Sequence, residues 1–269
     1  MNDNNTKSIN TEEIKKHLPS SLSDLEIVAL ESAGSTNDVA RELAREKSGQ
    51  LAVIAAHQTA GRGTKGRAFF SPGGAGLYMS ALLRPAMSAE DALPLTAAAA
   101  AAVCEAAEDM GSPPLGIKWV NDIMLGGKKV CGILTETSLI GSSLDYAVVG
   151  IGVNIAPPPE GFPRELENVA GALFESAPEH AREKLAAGIL ARLVPLSESL
   201  QDGAFIDEYR RRSVIIGRDI EVVSPRGSRP ARALDIDGRC SLLVRYEDGS
   251  EEALLAGEVS VRRAADDLG

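Results

Sequence analysis

An unbroken apolar run, residues 51–56, leads through His57 into Gln58-Thr59-Ala60-Gly61-Arg62-Gly63-Thr64-Lys65-Gly66-Arg67. A strand that ends in such a loop constrains the fold more than any other stretch. Its glycines let the backbone turn tightly and present free N–H groups, and Arg62, Lys65 and Arg67 bring positive charge to the same point. That combination suits a phosphate or a carboxylate, which arginine can grip with two parallel hydrogen bonds. A solvated surface loop is the plain alternative. The letters of residues 61–66 match the G-x-G-x-x-G fingerprint, but the turn-rich Phe69-Phe70-Ser71-Pro72-Gly73-Gly74 follows in place of a helix. The Walker pattern is absent.

Around this loop the chain alternates strands and helices. The patterning predicts strands over residues 24–31, 51–57, 77–83, 116–125, 129–139 and 146–155, with Gly126-Gly127 suited to a hairpin turn. It predicts helices over 36–46, with Ser35 or Thr36 near the start, and over 88–109, opened by a capping-box-like Ser88-Ala89-Glu90-Asp91 and filled by alanines 97–102. A helical pair near 178–200 and 206–212 follows a proline-rich loop. Beyond Ser213 the texture changes to short strands, over 219–223, 231–235, 241–246 and 259–262, with Asp237-Gly238 and Asp248-Gly249 as turns. Residues 1–22 are polar and read as a tail or short cap, too few for a helix-turn-helix domain.

Composition narrows the function. The chain of 269 residues carries a formal charge of −10, which argues against general DNA binding and makes a cationic cluster a site rather than a sticky face. Cys104, Cys131 and Cys240, like His17, His57 and His180, are too scattered for a disulfide framework or a metal site. No apolar stretch is long enough to span a membrane, and the N-terminus has no apolar signal core, so a cytoplasmic location is expected.

Three further stretches are polar where a core would be apolar. Lys118-Trp119-Val120-Asn121-Asp122 and Lys129 place charge at the ends of a hairpin; a turn, an exposed lysine and a core tryptophan are the simpler readings. Ser35-Thr36-Asn37 sits at a strand-to-helix junction, where hydroxyls commonly cap helices. Gly150-Ile151-Gly152-Val153-Asn154 reads equally well as a sheet-end turn. Cys131, two positions after Lys129 on a strand, is expected to share its face at about 7 Å, so that alkylation would inhibit; an inert buried thiol is the alternative.

Together these stretches resemble one family, the biotin protein ligases. The residues that carry the likeness are Ser35-Thr36-Asn37, Gln58 to Gly63 with Gly66-Arg67, Lys118-Trp119 with Asn121-Asp122, Lys129 with Gly132-Ile133-Leu134, residues 150–154, and the tail Gly257-Glu258-Val259-Ser260. The resemblance spans residues 25–263. It implies an α+β fold: a mixed-sheet catalytic domain with flanking helices (class II synthetase-like) over 23–214, and an SH3-like β-barrel over 215–269. It implies ATP-dependent formation of biotinyl-AMP, then transfer of biotin to a lysine of a biotin carboxyl carrier protein. Mg²⁺ would be bound mainly by the ATP phosphates.

By motif position, Ser35, Thr36, Asn37, Gln58, Arg62, Gly63, Thr64, Lys129 and Gly132 fall to biotin. Arg62, Arg67, Lys118, Asn121 and Asn154 fall to the nucleotide. Arg62, Arg67, Lys118, Lys129 and Asp122 are the catalytic candidates, Asp122 orienting the carrier amine. Thr64 stands where many members carry a second arginine, and Val120 replaces a common proline. The chain is expected to be a short form without the DNA-binding domain of repressor-type members, and homodimer pairing through a sheet edge stays open. Lipoate or octanoate transfer is the rival activity, opposed by the absence of R-R-x-[ST]-G-G-G; a biotin-sensing regulator is the rival non-enzyme.

Overall fold

The computed structural model describes residues 8–224, 227–255 and 257–261. Helix α1 (Thr11–His17) is capped by the Asn10 side chain, which accepts from the Glu13 amide at 3.1 Å. Its Ile14 is fully buried and the Asn10 amide donates to Glu183 at 3.3 Å, so residues 10–17 are packed onto the body of the protein as a cap.

Strands β1 (Glu26–Leu30) and β2 (Leu51–Ala55) run parallel, with α2 (Thr36–Glu46) carrying the chain back between them. All five residues of β2 are buried, as an uninterrupted apolar strand requires. Strand β3 (Gly76–Leu83) pairs antiparallel to β2. The helix expected from residue 88 begins later, as α3 (Leu95–Asp109). The hydroxyl of Ser88 does accept from the Asp91 amide at 3.1 Å, but that bond closes a separate turn, and the helix starts after Pro94. Alanines 97–102 are all buried. They let α3 lie close to α4 (Ala181–Glu198), where a Cβ added at Gly188 would come within 3.2 Å of Ala106.

Residues 116–125 form two strands, β4 (Gly116–Lys118) and β5 (Asp122–Leu125), paired antiparallel about a turn at Trp119-Val120-Asn121 whose Trp119–Val120 peptide is cis. The expected single strand is thus a hairpin, which brings Lys118 directly opposite Asp122. Long strands β6 (Lys128–Ile140) and β7 (Ser143–Asn154) complete a mixed sheet of order β1-β2-β3-β7-β6-β5-β4. Helices α1, α3 and α4 pack on one face and α2 on the other, giving a large core and a small one.

Helix α5 (Ile206–Arg211) leads into a second, antiparallel sheet of order β11-β10-β9-β8-β12, an SH3-like module. Its strands are β8 (Asp219–Ser224), β9 (Gly227–Ile236), β10 (Leu242–Tyr246), β11 (Glu251–Leu254) and β12 (Glu258–Val261). The two units meet at the turn after β4: Trp119 Nε1 donates to the Cys240 carbonyl at 2.9 Å and the Tyr209 hydroxyl to the Val120 carbonyl at 2.9 Å.

At the same junction Arg212 is buried between two carboxylates. Its guanidinium grips both oxygens of Glu108, Nη2–Oε2 at 2.8 Å, and its Nε donates to Glu208 at 2.6 Å. The Arg212 bonds hold the Glu108 carboxyl below the ordinary value of 4.5, and Arg211 together with Arg212 holds that of Glu208 below it, so both stay ionised and paired at neutral pH. Arg212→Met is expected to cost about 3 kcal/mol near pH 7, low in the range for broken buried pairs because both carboxylates keep some water. Depressed carboxyl values contribute stability above the unfolded value and lose it as pH falls through the folded one. The gap between wild type and variant, measured by denaturant titration, should therefore close below about pH 4.5.

Candidate active site

The site follows from strand parity. On β6 and β7, residues Gly132, Leu134 and Glu136 and residues Val148, Gly150 and Gly152 share one face, the face of α2. Gly132 pairs directly with Gly152, so two side chains are missing at one point of a central sheet. Helix α2 covers only part of that face. The remainder is an open cleft floored by glycine. Residues 150–154, readable as a sheet-end turn, lie instead within β7, where their small size makes this floor.

One wall is the start of α2. Ser35 is its N-cap residue, yet its hydroxyl makes no capping bond. Gln58 caps the helix from the loop after β2: its Oε1 accepts from the Thr36 amide at 2.9 Å and from the Thr36 hydroxyl at 3.2 Å. That frees Ser35, which lines the cleft. Asn37 also lines the cleft, but its amide group is spent inside the protein. Its Nδ2 donates to Glu136 at 2.8 Å and to the Leu134 carbonyl at 3.3 Å, and its Oδ1 lies 2.6 Å from the Ser80 hydroxyl.

The glycine-rich loop forms the roof. The Phe69 amide donates to the Gly61 carbonyl at 2.8 Å and the Gly63 amide to the Arg67 carbonyl at 2.7 Å, closing the loop on itself. Gly61 has no room for a side chain: a Cβ would lie 2.5 Å from the Phe69 carbonyl. Phe69 rests over the floor, within 3.2 Å of where side chains of Gly132 and Gly152 would begin. Arg62, Gly63 and Thr64 line the cleft, with Arg62 Nη2 held 2.9 Å from Asp38 and 2.8 Å from Glu136.

At the far end, Lys129 reaches the cleft through a bulge. Ile123 pairs with Cys131 but Met124 pairs with Lys129, so one extra residue, Val130, sits in β6 and reverses the parity. Lys129 therefore lies over Gly132, its Nζ 2.5 Å from Asp122, while Cys131 points into the core. The expectation that Lys129 and Cys131 share a face is corrected by this bulge. Burial pushes the Cys104 and Cys240 thiols up to about 12 and that of Cys131 well above its ordinary value. All three should resist alkylation in the folded protein at neutral pH and react once unfolded; intact-mass measurement of each state decides it.

The structure thus gathers Ser35, Thr36, Asn37, Gln58, Arg62, Gly63, Thr64, Asn121, Lys129 and Gly132 around one cleft. Arg67, Lys118, Asp122 and Asn154 are not in its lining. Asp122 touches it through Lys129, and Lys118 faces Asp122 across the hairpin. Asn154 donates to the Gly171 carbonyl at 2.9 Å, fixing the following loop. Sequence reasoning missed Ser80, Phe69, Asp38 and Glu136. Ser80 is buried in an otherwise apolar strand and joins Thr36 to Asn37; that lone hydroxyl was the only signal available.

A mixed sheet with helices on both faces, a polar cleft roofed by a glycine-rich loop and a following small β module together point to a ligase class. Residues 29–154 match the model of the biotin/lipoate A/B protein ligase family, and residues 215–262 match the biotin protein ligase C-terminal domain. The chain is 32% identical over 251 residues to the biotin–[acetyl-CoA-carboxylase] ligase of Mycobacterium tuberculosis, covering 87% of this chain and 88% of that one. It is 31% identical over 223 residues to the bifunctional ligase/repressor BirA of Bacillus subtilis, covering 80% and 68%. Its fold matches the biotin protein ligase of Aquifex aeolicus in complex with biotin and ATP, with a TM-score of 0.73, 26% identity, and 89% and 99% of the two chains covered. The chain belongs to the biotin protein ligase family.

Proposed function

We propose that this chain joins biotin to AMP and passes the biotinyl group to a lysine of a biotin carboxyl carrier domain, that of acetyl-CoA carboxylase. The observation that carries this reading is the cleft itself: hydroxyl and amide groups at the start of α2 with the Arg62 guanidinium beside them, and Lys129 over a floor of glycine. Relatives named for this activity and a matching structure holding biotin and ATP support it.

In the first step a carboxylate oxygen of biotin attacks the α-phosphorus of ATP and pyrophosphate leaves. Both reactants are anions, so fixed cations and aligned N–H donors are the main requirement. Arg62 and Lys129 supply the cations, Gly63 lines the cleft with its amide already bonded to Arg67, Arg67 and Lys118 would meet the phosphates, and the side-chain oxygens of Asn121 and Asn154 the nucleotide or its metal. Ser35, Thr36 and Gln58 address the ureido ring, which needs donors and acceptors. Asn37, its donors already engaged, shapes that end. Mg²⁺ would be held mainly by the phosphates of ATP.

In the second step the amine nitrogen of the carrier lysine attacks the acyl carbon, the C–O bond to phosphate breaks, and AMP leaves. Asp122, beside Lys129, orients the amine and draws off its positive charge. The roof at Phe69 limits water, which would otherwise hydrolyse the mixed anhydride. No helix among the described residues is long and apolar enough to cross a membrane.

Pyrophosphate release tests the reading. Release is expected when biotin and ATP are both present, and none with lipoate in place of biotin. Release with lipoate alone would move the chain to the sister activity.

A further inference from the structure

We infer that Glu136 is a positioning residue: it holds Arg62 in place for the carboxylate of the acyl substrate and ties that end of the cleft to the ureido end. The inference rests on the biotin ligase reading above. Its starting point is one oxygen. Glu136 Oε2 accepts from Asn37 Nδ2 at 2.8 Å and from Arg62 Nη2 at 2.8 Å. Those two donors belong to different elements, the start of α2 and the glycine-rich loop, and both line the cleft. A single carboxylate on β6 is therefore the fixed post between two walls.

The guanidinium geometry shows why this holds Arg62 ready rather than occupied. Arg62 carries five N–H donors. Both carboxylates that touch it, Glu136 and Asp38, meet the same nitrogen, Nη2. A hydrogen bond to Glu136 and an ion pair with Asp38 both engage Nη2, leaving Nε–H and both Nη1 hydrogens for an incoming anion. Holding one nitrogen by a hydrogen bond and an ion pair also restricts the orientation of the fork, which a bidentate grip on a carboxylate requires.

The charges around Glu136 are balanced. Arg41 pairs with Asp38 and lies 3.5 Å from the other oxygen of Glu136, so two cations and two anions form the group. Removing the charge of Glu136 leaves that group with a net positive charge. By Coulomb attraction alone, the change would strengthen anion binding. A loss of affinity on neutralising Glu136 would therefore report geometry, because the field acts in the opposite direction.

The experiment is calorimetric titration of the full chain with biotin and with biotinamide, in which an uncharged amide replaces the carboxylate. Glu136→Gln is expected to weaken biotin about tenfold or more, the scale of a charge-assisted hydrogen bond. Biotinamide should be affected much less, because the fork that Glu136 orients has no carboxylate to grip there. In the Arg62→Ala background the same substitution should cause no further loss, and any change should be a gain from the removed negative charge, since Glu136 positions substrate only through Arg62.

Unchanged or tighter biotin binding in Glu136→Gln overturns the inference, leaving Glu136 as a latch that competes with ligand. Equal losses for biotin and biotinamide, or additive losses in the double variant, overturn it in favour of a merely structural role. If Glu136→Gln fails to fold, as seen by thermal melting, Glu136→Asp carries the same cycle; it keeps the charge but withdraws the oxygen from both partners. Wild-type protein that binds no biotin would instead refute the function reading.

Discussion

Arg62→Ala should weaken biotin binding about a hundredfold and let biotinyl-AMP escape into solution, as expected when more than one charge-assisted hydrogen bond is lost. Two effects act together. The variant loses the guanidinium that faces the cleft, and it strips Asp38 and Glu136 of a shared counter-charge beside the anion. Those carboxylates then repel the substrate they formerly helped to place. The fold should survive, because the Arg62 side chain is 36% exposed and its pairs sit at the water boundary. Titration with biotin and chromatography of released adenylate give the two readouts. Wild-type affinity together with full retention of the adenylate would refute the role of Arg62.

Gly150→Ala should abolish measurable adenylation while leaving the chain folded. A Cβ at residue 150 would lie 2.2 Å from Asn37 Oδ1, far inside contact distance. Asn37 cannot retreat cheaply. Its amide is held by Glu136, by the Leu134 carbonyl and by Ser80, and Thr36 beside it is held by Gln58. A methyl group here moves the whole cleft wall formed by the start of α2, at a stability cost of about 1–3 kcal/mol for overpacking. Gly49→Ala, where a Cβ meets nothing within 4 Å, is the control and should keep full activity. Near-normal pyrophosphate release by Gly150→Ala would show that the wall is softer than its hydrogen bonds imply.

Local sequence resolved the elements whose pattern repeats along the chain. Residues 36–46 form the expected helix, the alanine run packs tightly inside a helix, and the apolar run at 51–55 is a fully buried strand. The glycine-rich loop was also recognisable, because glycine and cations at one strand end have few other uses. Errors fell where neighbours distant in sequence overruled local pattern. Ser88 and Asp91 form a turn instead of opening a helix, and residues 116–125 fold into a hairpin. Strand β11 was not anticipated, since Glu251-Glu252-Ala253 is exposed and lacks an apolar alternation.

The division within the site has the same origin. Which residue types suit an anion, and at which strand ends they fall, could be read from letters, since charge and backbone freedom are properties of the residues themselves. Which of them face the cleft could not. The extra residue in β6 turns Lys129 toward Gly132 and Cys131 toward the core, and that bulge exists only in the pairing of β6 with β5. Glu136 looks like any acidic residue on a half-exposed strand until α2 and the loop bring Asn37 and Arg62 to the same oxygen. Side-chain direction and shared partners depend on strand register and on contacts across nearly a hundred residues, and a single chain of letters carries neither.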